Sequence, residues 1–198
     1  MGDAAIGEAI LDAAAQVKAA NPAALWCCDP VMGDVGRGIY VRPGIPEFLR
    51  DRAMPMADIA TPNRYELEWL TGLPVTSLET AKRAVAALQA IGPRRVLLTS
   101  LEVGEGEIGM LAADGDAAWL VTTPMLPISV NGAGDATAAL FLFHWLRCGR
   151  ADEALCATAS AIFGILRRTV ELGARELQIV AAQAELVQPS RSFAARAL

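Results

Sequence analysis

Histidine is almost absent from this chain: His144 is the only one in 198 residues. A multi-histidine metal centre is therefore excluded. Lysine is nearly as scarce, with Lys18 and Lys82 set against fifteen arginines. Neither lysine stands in a G-x-x-x-x-G-K-[ST] string, so the P-loop class of nucleotide site is excluded too. No G-x-S-x-G nucleophile elbow occurs. The four cysteines, Cys27, Cys28, Cys148 and Cys156, form no C-x-x-C pair. Adjacent Cys27 and Cys28 sit in an apolar run and read as small buried hydrophobes without a redox role. Basic charge is lacking as well: the net charge is -5, which argues against a nucleic-acid footprint or a polybasic membrane patch. No run of about 18 uninterrupted apolar residues predicts a membrane span. The N-terminus has no signal-peptide pattern. The expectation is a reduced, soluble, cytoplasmic protein with no nucleic-acid or membrane partner.

What is present points to a folded enzyme-sized core. Hydrophobic residues make up 54% of the chain and charged ones only 20%, which predicts one domain over 1–198. Apolar spacing at Ile6, Ala9, Ile10, Ala13, Ala14 and Val17 predicts a helix over 4–20, with Asp3 as N-cap and Asn21-Pro22 as stop. ALWCC (24–28) reads as a short buried strand. The Gly- and Pro-rich stretch 32–46 reads as a loop, and a short helix follows at 46–53. A second strand covers 58–60, a helix 63–71, and an amphipathic helix 77–91 capped by Ser77. RVLLTS (95–100) is a third buried strand. Strands near 107–113 and 117–122 flank the hairpin signal Asp114-Gly115. Helices are expected over 133–148, 151–168 and 175–186. Strands alternating with helices predict an α/β fold with a mostly parallel sheet.

Four polar clusters carry the chemistry. Asn131-Gly132-Ala133-Gly134-Asp135 opens a long apolar helix. Glycines there let backbone N–H groups converge on an anion, and the helix dipole adds about half a positive charge. A carboxylate at this place can accept a proton from a hydroxyl attacking phosphorus. Equally, the glycines can make a simple turn and Asp135 can be a first-turn acid. Asp29-Pro30-Val31-Met32-Gly33-Asp34 follows the first strand, where α/β sheets gather ligands and a carboxylate can hold Mg2+; Asp29 as a turn cap is the plainer alternative. Thr61-Pro62-Asn63-Arg64-Tyr65-Glu66 also leaves a strand and opens a helix. Asn63 with Glu66 fits a capping box, and Glu66 as a second acidic metal ligand is the functional alternative. Thr99-Ser100 ends the third strand, with hydroxyls able to bind a phosphate or simply to fill the strand. Taken together, these clusters offer positioning, metal, anion and base groups for phosphoryl transfer.

Two features are set aside. Gly104-Glu105-Gly106-Glu107-Ile108-Gly109 matches G-x-G-x-x-G, but a hairpin pattern follows it, and a dinucleotide fingerprint must open a helix. His144 lies well inside the helix after Asp135 and reads as a packed histidine.

The ordered set DPVMGD (29–34), TPNRYELEWLTG (61–72), LLTS (97–100) and NGAGD (131–135) resembles the ribokinase-like superfamily. The DPVMG form, QVKAANP (16–22) and RELQIVAAQAEL (175–186) place the resemblance among the pyridoxal kinases, with the hydroxymethylpyrimidine kinases as nearest rival. The resemblance implies a three-layer α/β/α fold and ATP-dependent phosphorylation of the 5′-hydroxymethyl group of pyridoxal, pyridoxine or pyridoxamine. By similarity, Asp135 is the base at the substrate hydroxyl, and Gly132, Ala133 and Gly134 form the anion hole. Asp29 and Glu66 serve Mg-ATP, with Asp34 as a further metal or phosphate group. Thr61 and Thr99 match ATP-contacting positions, and Thr123, Pro124, Met125 and Leu126 match the stretch beside the adenine. Mg2+, a monovalent cation and a homodimer are implied in the same way.

The front of the chain departs from that pattern. It begins within the family's G-Y-x-G segment, with Met1-Gly2 in the last two places, so roughly 80 residues of the family's length are expected to be missing. With them go N-terminal strands and most substrate-contacting residues. A nucleotide-binding protein without turnover is therefore the alternative from another class.

Overall fold

Asp3 starts the first helix by accepting the Ile6 N–H on its side chain at 2.9 Å, and α1 runs Ala4–Ala20 to an Asn21 C-cap. Near its end, Lys18 Nζ meets Asp58 Oδ2 at 2.7 Å, and the same carboxylate oxygen accepts the Trp26 N–H at 2.7 Å. One carboxylate thus ties α1, the approach to β1 (Cys27–Cys28) and the approach to β4 (Ile59–Ala60) together. The computed structural model describes residues 2–198; Met1, and with it the reading of Met1-Gly2, lies outside the described residues. The chain divides into two units, one reaching to Leu98 and the other running Thr99–Leu198.

In the first unit β1, β4 and the start of β5 (Arg95–Gly104) pair in parallel, with Cys27 opposite Ile59 and Ile59 opposite Arg95. β2 (Gly33–Asp34) and β3 (Gly38–Ile39) form a small antiparallel hairpin. The loop expected over 32–46 therefore contains a hairpin. Its strands are only two residues each, too short to register as an alternating pattern. α2 (Ile45–Phe48) continues as a π-helical turn over Leu49–Ala53. α3 (Arg64–Thr71) and α4 (Leu78–Ile91) each begin with a complete capping box, Asn63 with Glu66 and Ser77 with Thr80. Their apolar faces bury Leu67, Leu70, Ala84, Val85 and Leu88, and the strand residues Ile59, Val96 and Leu97 are buried as well.

In the second unit β5 continues to β6 (Glu107–Asp114), β7 (Ala117–Pro124) and β8 (Arg196–Ala197), in that order. β6 and β7 form the expected Asp114-Gly115 hairpin, pairing Ile108 with Thr123. The Gly104–Gly109 string lies at the turn into β6, and a strand follows it, not a helix. α6 (Ala151–Glu171) packs on α5 (Ala133–Cys148) and on β6 and β7, burying Leu155, Ala159, Ile162 and Ile165. Phe193 meets the Phe163 ring edge-on at 5.0 Å, and its N–H donates to Ser160 Oγ at 3.0 Å. The C-terminal segment thereby reaches β7, where β8 adds an edge pair not foreseen from sequence.

Two expectations are corrected here. The third strand does not end at Ser100 but continues to Gly104; Ser100 is a left-handed interruption, with φ of 57°. Residues 175–186 are not a helix: only Gln183–Leu186 form a short 3-10 turn. The backbone there is committed elsewhere, since Glu176 bridges Asn131 and the Gln178 N–H donates to Thr169 Oγ1 at 3.1 Å. No helix among the described residues is long and apolar enough to cross a membrane.

Candidate active site

In the first unit the DPVMGD and TPNRYE strings close on each other. Asp29 follows β1 directly, and Thr61 follows β4, so parallel pairing brings them side by side. Thr61 Oγ1 donates to Asp29 Oδ1 at 3.0 Å, and the Thr61 N–H donates to the Cys28 carbonyl. Asn63 Nδ2 donates to the Gly33 carbonyl at 2.9 Å. Glu66 is the hub. Its Oε2 accepts the Asn63 N–H at 2.9 Å, and its Oε1 accepts the Met32 N–H at 3.0 Å. The capping box is thus real, but it does not exhaust Glu66, because the second oxygen reaches across to the other loop. Gly33 is needed for that approach: a Cβ there would run into the Tyr65 ring and sit 2.8 Å from the Gly38 carbonyl.

Glu66 is 3% exposed. Burial pushes its carboxyl up to about 7, against which the Asn63 and Met32 N–H groups pull down, while the nearby Asp29 charge adds to the rise. This carboxyl therefore changes charge around neutral pH. Burial likewise lifts the Cys27 and Cys28 thiols to about 12, so neither is a nucleophile, in agreement with their sequence reading. Asp34 lies on the β2–β3 hairpin. It is exposed, with Oδ1 accepting the Val35 N–H at 2.7 Å.

Among the described residues no group of three or more His, Cys, Asp and Glu is gathered to hold a metal by itself. The donors that are present suit an ion arriving with its own ligands. Asp29 and Glu66 offer carboxylate oxygens, the donor type that a hard cation takes. Magnesium takes one or two carboxylates together with phosphate oxygens and water. Asp29 and Glu66 fit that use, and they do not fit a resident all-protein cage.

In the second unit Gly132 adopts φ of 86° as the N-cap of α5, with no side-chain cap. The first amides of α5 are thus left without a capping side chain, and exposed Asp135 lies in that first turn. Asn131 is held by its bridge to Glu176, a link that sequence reading missed because Glu176 lies 45 residues away. Thr123 is buried on β7 opposite Ile108, Pro124 ends that strand, and the Met125 N–H donates to the Gly106 carbonyl at 2.8 Å. Leu126 and Thr99 are half-buried, Thr99 directly before the Ser100 interruption. His144 is part-buried on α5 with its ring edge against Phe143, in keeping with a packed role.

Comparison with known proteins settles the lineage. Residues 32–172 match the pfkB family carbohydrate kinase model. Pyridoxal kinase PdxY of Rubrobacter xylanophilus is 55% identical over 99% of this chain and 69% of its own length. The chain belongs to the pyridoxal kinase family. The family member from Granulibacter bethesdensis is 54% identical over 99% of this chain and 71% of its own length. A crystal structure of pyridoxal kinase from Entamoeba histolytica superposes with a TM-score of 0.88 at 26% identity, covering all of this chain and 70% of that one. The fold is accordingly the ribokinase-like α/β fold of pfkB kinases.

Proposed function

We propose that this chain phosphorylates B6 vitamers, moving the γ-phosphoryl group of ATP to the 5′-hydroxymethyl group of pyridoxal, pyridoxine or pyridoxamine. The observation that carries this is 55% identity to a pyridoxal kinase across nearly the whole chain. In this reading residues 1–198 act as one kinase domain. The substrate oxygen forms the new P–O bond, the bond to the β-phosphate oxygen breaks, and the hydroxyl proton passes to Asp135. The uncapped amides of Gly132, Ala133 and Gly134 hold the transferring phosphoryl oxygens. Thr61 and Thr99 hydrogen-bond ATP, and Thr123, Pro124, Met125 and Leu126 lie along its adenine. Asp29 and Glu66 orient Mg-ATP, with Asp34 assisting. Bound magnesium supplies neutralising charge to the phosphates.

The resemblance further supports a monovalent cation requirement, a homodimer and a cytoplasmic enzyme. The test is a vitamer panel with Mg-ATP that includes hydroxymethylpyrimidine. Phosphorylation of pyridoxal, lost in Asp135→Asn while nucleotide binding persists, is the expected result. Preference for hydroxymethylpyrimidine would overturn the substrate assignment, and near-normal turnover in Asp135→Asn would remove the base.

A further inference from the structure

β1 is the outer strand of the six-stranded sheet, and β4 is its one neighbour there. In a parallel ladder alternate residues turn their N–H and C=O groups to opposite sides. The Ile59 N–H donates to the Trp26 carbonyl and the Thr61 N–H to the Cys28 carbonyl. Trp26 and Cys28 are therefore engaged by β4, and Cys27 between them turns its N–H and C=O to the open edge. Parallel sheets are ordinarily covered, and an open edge is a template for another strand. The helix that leads into β1 is also apolar on more than one flank. α1 buries Gly7 and Leu11. On the adjoining flank Ile6, Ile10 and Val17 are 49%, 48% and 56% exposed. A helix that is apolar beyond one stripe is one that a folded protein covers from more than one side. Both features belong to the first unit.

We propose that the open edge of β1 and the Ile6, Ile10 and Val17 stripe form a docking surface in this unit, and that its occupant is a β-strand segment from the front part of a pyridoxal kinase, added parallel to β1. The inference rests on family membership and not on the kinase reading above. A source for such a strand is at hand: the match to the Rubrobacter xylanophilus enzyme takes in 69% of that protein, so close to a third of it lies outside the match. The direction follows from connectivity. A strand leading into α1 makes α1 the crossover to β1, and a βαβ crossover joins strands that run parallel in one sheet. Main-chain hydrogen bonds to Cys27 then hold the strand, and the apolar residues that accompany it cover the α1 stripe. A second copy of this chain is the poorer occupant, because it brings only the same two-residue strand to the edge and no crossover.

The test is hydrogen exchange of residues 1–198 with and without the front segment of the Rubrobacter xylanophilus kinase, made as a separate polypeptide. The expected result is exchange at the Cys27 amide slowed about tenfold or more on addition, with the amides of β8, at the other edge of the sheet, unchanged. Ile10→Lys combined with Val17→Lys leaves the urea midpoint of the chain alone in place, since both sites are exposed, and weakens capture of the segment about tenfold. Unchanged exchange at Cys27 overturns the inference, and so does protection at β8 in its place. Protection at Cys27 that grows with the concentration of the chain alone overturns it in favour of a second copy. If the separate segment does not stay in solution, the same segment joined ahead of residue 1 decides by the same amide. None of these readouts involves turnover, so their failure leaves the kinase reading standing, and a failed vitamer assay leaves this inference standing.

Discussion

Glu66 makes the stability of this protein fall as the pH rises toward neutrality. Its carboxyl is raised from an ordinary 4.5 to about 7, chiefly by burial. The sign follows from linkage: in the unfolded chain it ionises at its ordinary value, whereas in the fold it holds its proton longer. The contribution is therefore fully present below pH 4.5 and is lost as pH rises through about 7. At about 1.4 kcal/mol per pH unit, the span between the two values is worth about 3 kcal/mol. Glu66→Gln removes the titration and keeps the size. It also turns one amide N–H toward a backbone N–H, since both carboxylate oxygens now accept. The mutant should be weaker at pH 5, and its deficit should shrink by up to about 3 kcal/mol by pH 8. Urea midpoints of both proteins at pH 5, 6, 7 and 8 measure this, because the difference between them cancels every other titrating group. A deficit constant within about 0.5 kcal/mol across that range would refute the burial argument. Saturating Mg-ADP supplies a second arm. If Glu66 serves the metal, the bound cation keeps it ionised and removes most of the dependence on pH.

Three further outcomes test the geometry. Gly33→Ala should lower stability by about 1–3 kcal/mol in urea unfolding, because its Cβ meets the Tyr65 ring and the Gly38 carbonyl; an unchanged midpoint would show that the two loops are not in contact. Ser100→Val should cost more than about 1 kcal/mol while Ser100→Gly is neutral or stabilising, as a left-handed φ of 57° requires; equal tolerance of both residues would exclude that conformation. Phe193→Ala should cost about 1–2 kcal/mol through its lost contacts with Phe163 and Arg191. It should also speed hydrogen exchange at the Leu198 amide, which donates to the Ala118 carbonyl; unchanged exchange there would mean that β8 holds without Phe193.

What could be read from sequence divides along physical lines. Both capping boxes, the Asp114-Gly115 hairpin and the limits of α3, α4 and α5 are set by residues within a few positions of one another, so local chemistry reveals them. Some of the failures involve partners far along the chain, while the β2–β3 hairpin was too short to show a pattern. RELQIVAAQAEL has helical composition, yet Asn131 and Thr169 claim its backbone at Glu176 and Gln178. Glu66 shows the same division within one side chain. Its hydrogen bond to Asn63 was legible three residues away, and its reach to Met32 was not. Burial raises that carboxyl to about 7 while the Met32 contact pulls against the rise, and neither the burial nor the reach to Met32 follows from the local pattern. The two glycine strings make the complementary point. Gly104–Gly109 matches a nucleotide fingerprint in letters and is followed by β6, whereas Gly132–Gly134 matches no such fingerprint and opens α5 with uncapped amides. An anion is held by N–H groups aligned at a helix start, not by glycine spacing. The element that follows a glycine string therefore decides its chemistry.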